Sequence, residues 1–253
     1  MDLTSIPAPV FTALDGVTQA LAAGCYVGIG AAAYVRATSD IRTRVFLAFS
    51  IANLIVFGIP TVWWLRGMTD PTKLPLGATV GIMAGLGVGA LLLFHFTQVF
   101  PRRRPWIKTS GIQMAVAYCL APVTIAGLVW FAPASTDALK PAYVLAVIVF
   151  GFPLLVLLGI VLPVTAIVSL ARSHREIQQS AAPGLKRPVE ALLLSQIGGG
   201  TLAIVFAPAV AVLAPNSLGQ SALTLIIWAL GLLTPLAFAA AVWKFDVLSI
   251  NPD

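Results

Sequence analysis

The chain has 253 residues, of which 59% are hydrophobic and 9% charged, with a net charge of +6 and a mean hydropathy of +0.96. An average soluble domain carries about 25% charged residues, so a water-soluble globule is excluded and the solvent of this polytopic chain is lipid. The basic excess is accounted for by where it falls along the chain, not by nucleic acid.

Met1 to Pro9 contains Asp2 and no Lys or Arg, so it lacks the basic start of a secretory signal peptide, and the first apolar run is expected to remain as a span. Stretches free of acidic and basic side chains cover 16–35, 45–65, 74–101, 109–136, 141–171 and 191–243. Each reaches or exceeds the ~20 residues that cross a hydrocarbon core as a helix. The last is divided by Pro215-Asn216-Ser217-Leu218-Gly219-Gln220, a cluster of turn-formers, and so predicts two helices. The expected architecture is all-α: one membrane domain over 1–253 with seven transmembrane helices near 12–35, 45–65, 76–100, 110–132, 142–171, 190–213 and 221–243. Lipid offers no partner to a free amide, so backbone inside these spans must be helical.

Placing the N-terminus outside puts Arg36, Arg42, Arg44, Arg102, Arg103, Arg104, Lys108, Arg172, Arg175, Lys186, Arg187 and Lys244 inside. Only Arg66, Lys73 and Lys140 of the 15 basic residues stay outside. That asymmetry predicts an outer N-terminus and a cytoplasmic C-terminus in a bacterial-type inner membrane, with the basic loops against anionic headgroups.

In the third span Gly77, Gly81, Gly85 and Gly89 recur every four residues and share one face. Such a stripe lets a neighbouring backbone approach closely, within the bundle or at a dimer interface. The first span, with Gly24, Gly28 and Gly30, is the candidate neighbour. Cys25 and Cys119 lie in apolar runs and are expected to be small buried hydrophobes. Pro153 and Pro163 should distort the fifth span, since each removes a backbone hydrogen bond.

Intramembrane ionisable groups mark function because each is costly in lipid. Asp15 lies at the outer edge of the first span, and His95 is the single His, Asp, Glu, Lys or Arg expected well inside one. A carboxylate relay for a proton pump is missing, and no lysine lies between Leu223 and Trp243 to bind retinal. His95 and His174, the latter expected in a loop, are the only histidines, and no cluster has ligand spacing, so neither metal nor other cofactor is expected. Gly198-Gly199-Gly200 follows no strand and is not a phosphate cradle. No catalytic residues emerge, and the expectation is a protein that is not an enzyme.

The most distinctive stretch runs from Phe94 to Trp106. Pro101 ends the third helix, Arg102, Arg103 and Arg104 sit at the interface, and Trp106 lies at headgroup depth. His95 and Gln98, three apart, share a face, and Gln98 lies four before Arg102. His95 and Gln98 are therefore either a polar pair satisfied by neighbouring helices or ligand and coupling candidates, with the three arginines as the cytoplasmic contact.

His95 to Pro105, His-Phe-Thr-Gln-Val-Phe-Pro-Arg-Arg-Arg-Pro, resembles the "HF-x-x-x-FP-x-R-x-P" segment after the third helix in multi-span N-terminal membrane regions of bacterial sensor histidine kinases and related signalling proteins. The stretch from Ser169 to Leu194 is similar to the basic loop before that family's penultimate helix, and Ala240 to Leu248 resembles its exit into the cytoplasm. With the sequence ending at Asp253, no kinase, cyclase or phosphatase domain is expected, and that family's catalytic residues have no positions within residues 1–253. The resemblance implies a sensor-like membrane module acting on a cytoplasmic signalling protein. The alternatives are an assembly subunit docked to other membrane subunits through the glycine face, or a small transporter of a neutral or lipidic substrate. A transport path would be lined by Gln19, Gln113, Thr124, Ser195, Gln196 and Thr234. Recognition of a ligand would fall to the outer half, near Trp63, Trp64, Trp130 and Trp228.

Overall fold

The computed structural model describes residues 8–68, 74–101, 111–132, 139–179, 185–197 and 229–249, and among the described residues there are helices and turns but no strand. In chain order the helices are α1 (Ala8–Arg36), α2 (Ile41–Leu65), α3 (Leu76–Val99), α4 (Gly111–Phe131), α5 (Lys140–Gln178), α6 (Lys186–Gln196) and α7 (Ala229–Lys244). Four of them, α1 from Ala13 onward, α2, α3 and α5, are long and apolar enough to cross a membrane. The apolar parts Tyr118–Phe131 of α4 and Ala229–Lys244 are shorter. This is a helical membrane protein. Most of the span expected at 190–213 and the start of that at 221–243 lie outside the described residues.

Two boundaries differ from the sequence expectation for physical reasons. Helix α2 starts at Ile41, four residues before position 45, because Asp40 caps it: its carboxylate accepts from the Arg42 N–H at 2.8 Å. Helix α5 continues past 171, since a helix leaving the lipid needs only an amphipathic stripe. Ala166, Leu170, Ser173 and Ile177 supply that buried stripe, and α5 packs there on α3 and α6. His174 is thus a helical residue, not a loop residue, and its Nε2 meets Glu190 Oε1 of α6 at 2.9 Å.

The glycine stripe of α3 is filled by α2, not by α1. A Cβ on Gly85 would lie 3.0 Å from Val56 Cγ2 and 3.3 Å from the Ala52 carbonyl, and one on Gly81 would lie 3.3 Å from Ile59 Cδ1. Gly77 faces open space, and Gly89 has only Asn53 nearby at 3.9 Å. Helix α1 also packs on α2, through Gly30 against Ser50 and Gly16 against the Trp64 indole, while Gly24 and Gly28 face open space. The opposite side of α3 meets α4 and α5, where Gly87 lies under Ile125 and Leu158.

Aromatic rings from four helices form the core. Phe46 of α2 stacks on Phe238 of α7 with centroids 3.8 Å apart, and Phe96 of α3 meets Phe238 edge-on at 5.3 Å. Tyr26 of α1 lies 5.5 Å from Phe49 and 5.7 Å from Phe57. Such pairs add about 0.5–1.5 kcal/mol each beyond area burial.

Helix α5 widens into π turns at Val147–Gly151 and Leu157–Val161. Each ends two residues before a proline, Pro153 or Pro163, and Phe152 and Leu162 donate five residues back, to Val147 and Leu157. A proline ring crowds the carbonyl four residues earlier, and the wider turn gives it room.

Candidate functional site

Among the described residues, a densely bonded polar site is the junction where α2 begins, α3 ends and the tail leaves α7. Its centre is Arg42, fully buried on the first turn of α2. The guanidinium faces Asp40, with Nη2 donating to Oδ2 at 2.6 Å and Nε to Oδ1 and Oδ2 at 3.0 and 3.1 Å. Its Nη1 donates to the Pro101 carbonyl at 3.0 Å and to the Val247 carbonyl at 3.0 Å. A buried charge survives only when paired and hydrogen-bonded. The planar fork of arginine meets one carboxylate and two carbonyls at once, which a lysine does not.

Local sequence builds each partner. Asp40 is placed by the turn after α1, held by the Thr43 hydroxyl donating to the Ala37 and Asp40 carbonyls at 2.6 and 2.9 Å. Val247 is aimed by Asp246, which takes a left-handed φ of 47°, a conformation aspartate tolerates better than most side chains. The chain then enters a short turn, Val247–Ser249, closed by Ser249 N–H donating to the Asp246 carbonyl at 3.0 Å. The Asp246 carboxylate reaches Arg36 at the end of α1, at 2.7 Å, as an exposed ion pair.

Above the junction, α7 is tied to α1. Pro235 has no N–H for the carbonyl of Gly231 four residues earlier, and the Tyr26 hydroxyl donates to that carbonyl at 2.9 Å. One turn further along, Gln196 Nε2 of α6 donates to Thr234 Oγ1 at 2.9 Å.

The residues expected at the site are distributed as follows. His95 Nδ1 shares a 2.6 Å hydrogen bond with the Tyr118 hydroxyl of α4, whose ring stacks on the imidazole. Gln98 is buried and donates to Thr97 Oγ1 at 3.3 Å, next to Ser169 of α5, which donates to the Thr97 carbonyl at 3.5 Å. The two polar residues thus meet different neighbours. Arg102, Arg103 and Arg104 lie outside the described residues. Among the expected path residues, Gln19 donates to Asp15 at 2.9 Å, Thr124 to Leu120 and Ser195 to Leu192, while the Gln113 side chain lies outside the description. Trp130 is exposed, Trp64 covers Gly16, and Trp228 is outside the described residues. Cys119 is exposed on α4 rather than buried, and Cys25 is half-buried. No group of three or more His, Cys, Asp or Glu that could hold a metal ion occurs among the described residues.

Arg42 was legible in the sequence only as an inside charge. The signal that points to it is Asp40-Ile41-Arg42, a capping aspartate two residues before an arginine at the mouth of an apolar helix.

No protein-family model matches the chain. No curated protein matches it either.

Proposed function

We propose that the protein is a seven-span module of a bacterial-type inner membrane, with its N-terminus outside and its C-terminus in the cytoplasm, which signals through a separate partner and carries no catalysis of its own. Twelve basic residues on the proposed inner side support the orientation. The single observation that carries the signalling reading is the double grip of Arg42 on Pro101 and Val247. Arg102, Arg103 and Arg104 follow Pro101 directly, and the tail follows Val247. Movement of α2 therefore bears on both segments that would meet a cytoplasmic partner. The likeness of His95 to Pro105 to sensor-kinase membrane regions adds to this reading.

The test is purification of the tagged chain from its native membrane in gentle detergent, with mass spectrometry of everything retained in fixed ratio. A cytoplasmic kinase, cyclase or regulator is expected, and replacing Arg102, Arg103 and Arg104 with Gln should weaken its recovery. Full recovery with the triple substitution removes the arginines from the contact. Recovery of integral membrane subunits alone replaces this reading with that of an assembly component, which would have to dock elsewhere than Gly81 and Gly85, since α2 occupies them.

A further inference from the structure

A cavity of about 640 Å³ lies between α3, α4 and α5. Its wall is formed by Met83, Leu86 and Ala90 of α3, by Ile125 and Leu128 of α4, and by α5 from Tyr143 to Gly159. Among the described lining residues the only polar side chain is that of Tyr143, and its hydroxyl is already donating to the Leu128 carbonyl at 3.0 Å. Water entering the space would find no set of polar partners among them, and none of them carries a charge to hold an ion or a headgroup.

The shape narrows the occupant further. From Tyr143 to Gly159 the wall follows α5 for about 24 Å, so the space is long and runs with the helix. An extended, flexible, apolar chain matches that length and lining. The cavity meets the bilayer sideways: Met83 and Leu86 on its rim are 40% and 49% exposed. Both π turns of α5 contribute to the wall, the first through Val147 and Gly151 and the second through Leu158 and Gly159. Turns of this kind are concentrated at functional sites. At Gly159 a Cβ would meet nothing within 4 Å, so open space adjoins that position.

We infer that this cavity binds one alkyl chain of a bilayer phospholipid, whose headgroup stays outside the protein at the membrane surface. The phospholipid is favoured as the source because the opening faces the bilayer interior, where its chains are the solvent, and because no described residue of the wall carries a charge that would hold a free carboxylate. As the ligand class for the signalling module, this rests on the reading above, although the site itself is testable without it.

The experiment uses the full chain in vesicles of phosphatidylethanolamine and phosphatidylglycerol with a trace of phosphatidylethanolamine bearing a photoactivatable diazirine in one acyl chain. Irradiation should label Met83, Leu86 and Leu154 above the lipid-exposed Leu120, Val123 and Val168, and excess unlabelled phospholipid should compete. Gly159→Phe, which puts a ring into the open space beside that lining residue, should bring wall labelling down to the exterior level. Met83→Trp, on the exposed rim, should do the same if the first variant fails to fold. Even labelling of wall and exterior, or wall labelling unchanged in the folded variants, overturns the site. Wall labelling by a diazirine fatty acid without labelling by the phospholipid overturns the source. Loss of the site with a fixed-ratio cytoplasmic partner still recovered leaves the signalling reading standing, whereas absence of that partner removes the reading whatever the labelling.

Discussion

The hydroxyl of Tyr26 occupies the one carbonyl in α7, that of Gly231, which Pro235 is unable to serve. A helix broken by proline inside lipid needs an outside donor, and here α1 provides it across 205 positions of sequence. The break in α7 and the tyrosine in α1 are therefore one feature.

Tyr26→Phe should cost about 1 kcal/mol, in the range of measured interhelical hydrogen bonds in membranes. In a Pro235→Ala background the helix regains its own donor, and the cost of Tyr26→Phe should shrink. The four proteins of this cycle can be compared by reversible unfolding in mixed micelles. An equal cost in both backgrounds would break the link between hydroxyl and proline.

Arg42→Met should be among the most damaging single changes, since it leaves the Asp40 carboxylate and the Pro101 and Val247 carbonyls without the guanidinium. Removing one member of a buried pair costs about 3–5 kcal/mol. Arg42→Lys restores charge but not the fork and should recover only part of the loss. By contrast Asp246→Asn, which keeps the left-handed residue type and gives up an exposed ion pair, should cost less than about 1 kcal/mol. Melting temperatures in detergent that rank Asp246→Asn with Arg42→Met would contradict the junction.

The glycines of α1 and α3 should respond in opposite senses. Gly24→Ala enters open space and removes a flexible residue from a helix interior, a gain of about 0.5–1 kcal/mol. Gly85→Leu must push Val56 and the Ala52 carbonyl away and should cost about 1–3 kcal/mol. Unfolding measurements giving both the same sign would disprove the assignment of α2 as the helix seated on α3.

Orientation is checked by single cysteines introduced after Cys25→Ala and Cys119→Ala. A membrane-impermeant maleimide added to intact cells should label Lys140→Cys, whereas Ser249→Cys should react only once the membrane is permeabilised. The reverse pattern would invert the topology.

Four of the expected spans, the first, second, third and fifth, were legible because lipid imposes one rule on every apolar run, and charged residues mark where the rule stops applying. The same rule hid the junction. It treats Arg42 as the edge of a span, although burial makes that residue part of the packed interior. It also ended α5 at 171, because it cannot see a helix that continues in water on an amphipathic stripe. A glycine repeat announces a groove without saying what fills it, so α2 rather than α1 had to come from the structure. His95 was singled out as a lone titratable group, but its partner Tyr118 carries no charge and left no mark in a search for ionisable clusters.

The two π turns of α5 have a consequence for chain length. Each holds one residue more than an ordinary turn in the same rise, so a single deletion within Val147–Gly151 or Leu157–Val161 would tighten it to α-helix without swinging the flanking faces. A deletion elsewhere in α5 rotates everything beyond it by about a quarter turn. Variants of this protein one or two residues shorter should therefore lose them from these two places, with His174 still opposite Glu190.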